Sequence, residues 1–129
     1  MTITGVPYLM LGVRALARSL PFYRDQVGLR VTREIPGLAF LDAGNLTLVL
    51  AEGLFRVPEA EASPDRPAAR AGLEIVLGVP DVDAAYAELQ ARGVAFVREP
   101  RPVDGANHSA VFADPDGQLL SVFGPRPSA

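Results

Sequence analysis

The sequence predicts an α+β protein built from two tandem βαβββ modules. Short apolar runs of strand length alternate with two segments of helical spacing, and turn-forming pairs separate the runs. The order strand, helix, three strands occurs twice. The two copies also superimpose. Val13 and Leu16 match Val79 and Val82 at a shift of 66, and Asp42, Leu48 and Leu50 match Asp114, Leu120 and Val122 at a shift of 72. A repeat at nearly constant spacing implies two similar modules related by a pseudo-twofold axis.

In the first module, expected over about residues 5–53, the run Val6 to Val13 reads as a buried strand. Ala17 to Gln26 follows with Leu20, Tyr23 and Val27 at helical spacing. Pro21 is tolerable there only close to the helix start, where backbone N–H groups lack partners anyway. Gly28 suits a helix stop. The strands "LRVTREI", "LAFLD" and "LTLVLAE" come next, joined by Pro36-Gly37 and Gly44-Asn45. The second module, about 71–124, repeats the order. "GLEIVLGV" is a strand, Asp81-Val82-Asp83 sets a capping carboxylate before a helix running to about Arg92, and Gly93 ends it. "VAFVRE", "SAVFA" and "LLSVF" complete the set, with "EPRPVDGAN" read as a longer loop that accounts for the growth of the shift. The stretch of about 54–70 reads as a linker or a lid, and 125–129 as a polar tail.

Composition narrows the function. The chain has 129 residues, enough for one domain with a core, and a net charge of −3. That charge disfavours a nucleic-acid partner, which needs a basic face. All 12 basic residues are arginine, so arginine is the only permanent cation available to hold an anion. The chain has no cysteine, which removes disulfides, thiol nucleophiles and thiolate metal sites. "MTITGVPYLM" does not read as a signal peptide, and no apolar run approaches membrane-spanning length, so a cytoplasmic protein is expected.

Alternation along the strands separates two faces. Leu9, Leu11 and Val13, with Leu46, Leu48 and Leu50, form apolar sets that should pack beneath the first helix. Ile75, Leu77 and Val79, with Leu120 and Val122, do the same in the second module. The opposite faces then present Tyr8, Met10 and Gly12; Thr47, Val49 and Ala51; Glu74, Val76 and Gly78; and Leu119, Ser121 and Phe123. His108 is the only histidine and shares a face with Ala110 and Phe112. Phe22 and Tyr23 are expected to pack between helix and sheet.

The loudest acidic motif is Asp114-Pro115-Asp116-Gly117. A calcium loop with Gly117 as its glycine would begin at Phe112 and end at Phe123, and neither can coordinate. Asp first, Pro second and Gly fourth is instead a type I turn signature. No phosphate loop, dinucleotide fingerprint or nucleophile triad is visible.

Three segments, "VRALARSLPFYRDQVGL" (13–29), "GVPDVDAAYAELQARGVAF" (78–96) and "FADPDGQLLSVF" (112–123), in this order and at this spacing, resemble the vicinal oxygen chelate superfamily. That group includes glyoxalase I, extradiol dioxygenases, fosfomycin-resistance enzymes and bleomycin-resistance proteins. The resemblance implies that each module forms a small curved sheet, the two making an open barrel around a cavity. It implies a cavity wall of Tyr8, Met10, Thr47, Val49, Glu74, Val76, His108, Ser121 and Phe123. It also implies a homodimer. In the family's metalloenzymes four cavity positions carry ligands, usually His, Glu or Gln. Position by position these correspond to Tyr8, Val49, Glu74 and Ser121, of which only Glu74 is an ordinary ligand for a hard cation. The expectation is therefore a small-molecule-binding protein of the bleomycin-resistance type with no metal or other cofactor. The alternative is an enzyme, a lyase, isomerase or dioxygenase, that uses a divalent metal ion or works through Glu74 or His108. Within an apolar cavity Glu74 would be a desolvated carboxylate.

Overall fold

The computed structural model describes residues 1–53 and 73–127. The linker expected over about 54–70 lies outside the described residues. The chain divides into two compact units, Met1–Ala62 and Ser63–Ala129. Each holds one four-stranded mixed sheet and one helical segment, which is the α+β, twice-repeated βαβββ plan.

The first unit contains β1 (Tyr8–Val13), α1 (Leu16–Pro21), β2 (Arg30–Ile35), β3 (Leu38–Asp42) and β4 (Thr47–Glu52). Its sheet runs β1-β4-β3-β2. β1 lies parallel to β4, and the other neighbours are antiparallel. The expected helix is present but does not stay α-helical. Pro21 falls at the sixth helical residue instead of near the start, and a π-helical turn, Phe22–Gln26, takes over directly after it. A proline ring cannot continue regular α hydrogen bonding, and the wider turn is the local solution. Leu20, Phe22 and Tyr23 are buried by this segment, with the two rings edge to face at 5.2 Å. Beneath them lie Leu11, Val13, Ala39, Leu41, Leu48 and Leu50, all buried.

The second unit contains β5 (Glu74–Gly78), α2 (Val82–Ala91), β6 (Phe96–Asp104), β7 (Asn107–Ala113) and β8 (Leu119–Pro125), in the order β5-β8-β7-β6. β5 is parallel to β8. Asp81 caps α2, its carboxylate accepting from the Ala84 N–H at 3.1 Å. Tyr86 of α2 meets Phe96, which meets Phe112, so this face of the sheet is the one the helix covers. Among the described residues, no helix is long and apolar enough to cross a membrane.

Two departures from the sequence reading shape the site. The first is the length of β6. The segment read as the loop "EPRPVDGAN" is strand as far as Asp104, and β7 begins at Asn107, so only a tight turn remains. Pro100 and Pro102 signal a break, yet β6 is the edge strand, where a proline need not donate to a neighbour.

The second departure is a pair of matched β-bulges. In the first unit Val31 opposes Leu41 but Arg33 opposes Phe40, so the register slips by one residue at Thr32. In the second unit Phe96 opposes Phe112 but Arg98 opposes Val111, with the same slip at Val97. Regular pairing would have set Arg33 against Ala39 and Arg98 against Ala110, both on the helix-covered face. A one-residue slip turns a side chain to the other face. Each bulge therefore moves one arginine out of the apolar interior, where its charge would be costly.

The "DPDG" hairpin forms as its residues predict. The Gly117 N–H donates to the Asp114 carbonyl at 3.0 Å. The buried Asp114 carboxylate accepts from the N–H groups of Asp116 and Gln118, both at 2.8 Å. Asp42 plays the same part in the first unit by accepting from the Gly44 N–H at 2.8 Å. The second hairpin is one residue longer: Asp42 still pairs with Thr47 inside the ladder, whereas Asp114 lies just beyond β7.

Candidate functional site

In the second unit the face away from α2 brings together Glu74 and Val76 of β5, Leu119, Ser121 and Phe123 of β8, Ser109 and Val111 of β7, and Arg98 and Arg101 of β6. Ser121 is almost fully buried, and its hydroxyl donates to the Glu74 carboxylate at 3.0 Å. Glu74 itself is exposed, so the desolvated carboxylate expected from the sequence is not what this face presents. The start of β5 is held by Gln118. This fully buried side chain donates from Nε2 to the carbonyls of Leu73 at 2.9 Å and Leu119 at 3.0 Å. Gln118 thus fixes the backbone next to Glu74, and its own Oε1 is buried without a hydrogen bond.

Arg98 completes the polar part of this face. Its Nη1 donates to the Ser109 carbonyl at 3.0 Å and its Nη2 to the Ser109 hydroxyl at 2.6 Å. Burial holds the Arg98 guanidinium below its ordinary pKa, the like charge of Arg101 adds to this, and the negative charge of Glu74 opposes it. Val76 and Leu119 give the face an exposed apolar component.

His108 does not join this group. It stands opposite Gly124 and Pro102 and alternates with Ala110 and Phe112 on the helix side of the sheet. Its Nδ1 lies 3.4 Å from the Ala106 carbonyl. The face shared with Ala110 and Phe112 was read correctly, but in this sheet that face is opposite the one bearing Glu74. The expectation that His108 and Glu74 line one wall fails for that reason.

In the first unit the corresponding open face carries Tyr8 and Met10 of β1, Thr47 and Val49 of β4, Phe40 of β3 and Arg33 of β2. Tyr8 and Met10 are more than half exposed, at 55% and 51%. Tyr8 and Phe40 meet edge to face at 6.1 Å, and the Arg33 guanidinium stands 5.6 Å from the Phe40 ring centre. Val49 opposes both Met10 and Phe40 and is buried between them. This face is aromatic and apolar at its centre, with Arg33 and the Arg30–Asp42 ion pair toward its β2 edge.

Arg33, Phe40, Arg98, Ser109 and Gln118 were missed by the sequence reading. The arginines did leave a signal. In both "RVTREI" and "VAFVRE" an arginine falls two residues after an apolar side chain of the core face. Strict alternation would bury it, so a bulge is the economical resolution.

Among the described residues, no group of three or more His, Asp or Glu side chains is gathered to hold a metal ion. In the second unit the two positions that the resemblance assigns to ligands offer one carboxylate and one hydroxyl, already bonded to each other. Zinc and iron sites use three or four protein ligands, so this donor pair does not fit such an ion.

The family model for the Glyoxalase/Bleomycin resistance protein/Dioxygenase superfamily matches residues 5–122. The chain belongs to this superfamily. Solved structures share its fold over nearly the whole chain. A glyoxalase/bleomycin resistance protein/dioxygenase from Nocardioides is 20% identical with a TM-score of 0.75, over 100% of this chain and 88% of that one. A lactoylglutathione lyase from Agrobacterium tumefaciens is 21% identical with a TM-score of 0.72, over 96% of each chain. An antibiotic-binding protein from Streptomyces is 27% identical with a TM-score of 0.74, over 97% of this chain and 98% of that one. A lyase and an antibiotic-binding protein thus share this architecture.

Proposed function

We propose that this chain binds a small molecule without turning it over and without a metal ion, as a bleomycin-resistance-type member of its superfamily. The observation that carries this reading is the Ser121–Glu74 hydrogen bond. Both residues stand at positions where a metalloenzyme of the family would aim lone pairs at a cation. Here the serine hydroxyl aims its proton at the carboxylate. The open face of the first unit supports the reading, because Tyr8, Met10 and Phe40 offer the apolar and aromatic surface that small-molecule sites use. So does the likeness to an antibiotic-binding protein. The same reading takes residues 1–129 as one domain, acting in the cytoplasm as a homodimer.

Elemental analysis of the purified protein, followed by thermal melts with Ni, Zn, Mn and Fe(II), tests the metal part. No stoichiometric metal and no cation-dependent rise in melting temperature are expected; a stoichiometric ion would overturn it. Calorimetry with polycyclic aromatic antibiotics tests the binding part, and intact recovery of the bound compound distinguishes binding from turnover. An enzyme reading keeps Glu74 as its base, since the carboxylate is exposed and oriented by a buried serine. His108 has no part in it, because it lies on the other face of the same sheet.

A further inference from the structure

We propose that Arg98 and Arg101 form an anion subsite on the open face of the second unit, one that takes the carboxylate, sulfonate or phenolate of an acidic small molecule. This rests on the small-molecule-binding reading and names the class of ligand.

The register of β6 is the first argument. The strand slips between Phe96 and Arg98, between Arg98 and Arg101, and once more between Pro102 and Asp104, which sets Asp104 opposite Asn107 at the far end of the same face. The first slip turns Arg98 to the face of Val111, and the second turns Arg101 to the face of Ser109. Without them the two guanidiniums could not share one face, since residues three apart in a regular strand point opposite ways. Bulges of this kind re-aim side chains and recur beside functional sites.

Charge is the second argument. The ion pairs among the described residues are Arg24–Asp25, Arg30–Asp42, Arg92–Glu88 and Arg126–Asp83. Neither Arg98 nor Arg101 is in one. The side-chain bonds of Arg98 go to neutral oxygens, the Ser109 hydroxyl and the carbonyls of Ser109 and Glu99. Two like charges thus act on one another across a partly buried patch, and the attraction of Glu74 opposes the repulsion. An anion settling between them relieves that repulsion and gains charge-assisted hydrogen bonds. Ser109, itself buried, accepts from Arg98 and keeps a hydroxyl proton free to give. Glu74 repels a second anionic group and accepts from a hydroxyl or ammonium. The ligand class is therefore a monoanion that also carries hydrogen-bond donors.

A purely structural role would have Arg98 patch the broken ladder through the Ser109 carbonyl. Arg101 separates the two accounts, because it is exposed and makes no such bond. The test uses two fluorescent probes with one skeleton, anilinonaphthalene sulfonate and the neutral N-phenylnaphthylamine, titrated into the full chain. The parent protein should prefer the sulfonate by about tenfold, the scale of one charge-assisted contact. Arg101→Met and Arg98→Met should each remove most of that preference and leave the neutral probe within about twofold. Arg98→Lys should keep part of it. If Arg98→Met fails to fold, Arg101→Met decides. A sulfonate preference unchanged in Arg101→Met, or absent from the parent while both probes bind, overturns the anion subsite and leaves the binding reading standing. Failure of both probes to bind the parent overturns both.

Discussion

Replacing Gly124 with alanine probes a close backbone approach in the second unit. A Cβ at Gly124 would meet the Val79 carbonyl oxygen at 2.0 Å, where real Cβ contacts essentially never fall below 3.0 Å. Either β8 or the backbone just after β5 must therefore retreat by about 1 Å, and the obstacle is backbone rather than a side-chain tip. The retreat strains the adjacent bond from the Val79 N–H to the Phe123 carbonyl, now 2.9 Å long. Losing it costs roughly 0.5–1.5 kcal/mol. Crowding adds about 1–3 kcal/mol. Alanine returns about 0.4–1 kcal/mol by restricting the unfolded chain. The expected net loss is about 2 kcal/mol. For a chain of this size that lowers the melting temperature by roughly 6–10 °C. Urea unfolding and thermal melts followed by circular dichroism give both numbers. Gly78→Ala is the matched control. Gly78 opposes Phe123 one strand over, and a Cβ there meets nothing within 4 Å. Its effect should stay within about 0.5 kcal/mol. An unchanged urea midpoint for Gly124→Ala would refute the steric account.

Other expectations follow from the hairpins and the site. Asp114→Ala removes the acceptor for the buried Gln118 N–H and the half-buried Asp116 N–H and should cost about 2–3 kcal/mol in urea unfolding, whereas Asp114→Asn keeps a carbonyl oxygen and should cost less. Ser121→Ala should cost only about 1 kcal/mol, because water can reach the exposed Glu74 in its place; a much larger loss would mean that the hydroxyl holds the strands themselves. The Asp42 carboxyl is held below its ordinary pKa by the Gly44 N–H first and by the Arg30 guanidinium second. A folded-state pKa below the unfolded one gives stability that is complete above the unfolded value and lost as the pH falls through the folded one. Melting temperature should therefore drop below about pH 4, and Asp42→Asn should flatten part of that drop; an unaltered pH profile would count against the pairing.

Local chemistry explains why so much of the fold was legible. Alternation in "YLMLGV" separates the faces because strand side chains point up and down in turn, and burial follows there: Leu11 is inside, Tyr8 and Met10 outside; in "TLVLAE" it does not, since Val49 and Ala51 of the open face are buried along with Leu48 and Leu50. Asp81 announces the start of α2, and "DPDG" announces its turn, because a side chain and its own neighbouring backbone suffice to make those bonds. The repeat then supplied the order of elements twice over.

Long-range pairing decided the rest. Whether Pro100 and Pro102 end a strand depends on β6 having no neighbour on its outer side among the described residues, and the edge position comes from the whole sheet. Where Arg98 points depends on a slip against β7, and no count along "VAFVRE" contains β7. His108 was assigned its correct neighbours along the chain and the wrong wall, because parity says which residues share a face but not which face the helix covers. Tyr8, Val49, Glu74 and Ser121 were placed by sequence on the faces where they are found. The partners that give the second unit's face its chemistry, Ser121 on Glu74 and Ser109 on Arg98, were set by register between strands distant in sequence. Hydrophobic periodicity is a property of each segment, whereas register is a property of pairs, and the site is built from pairs.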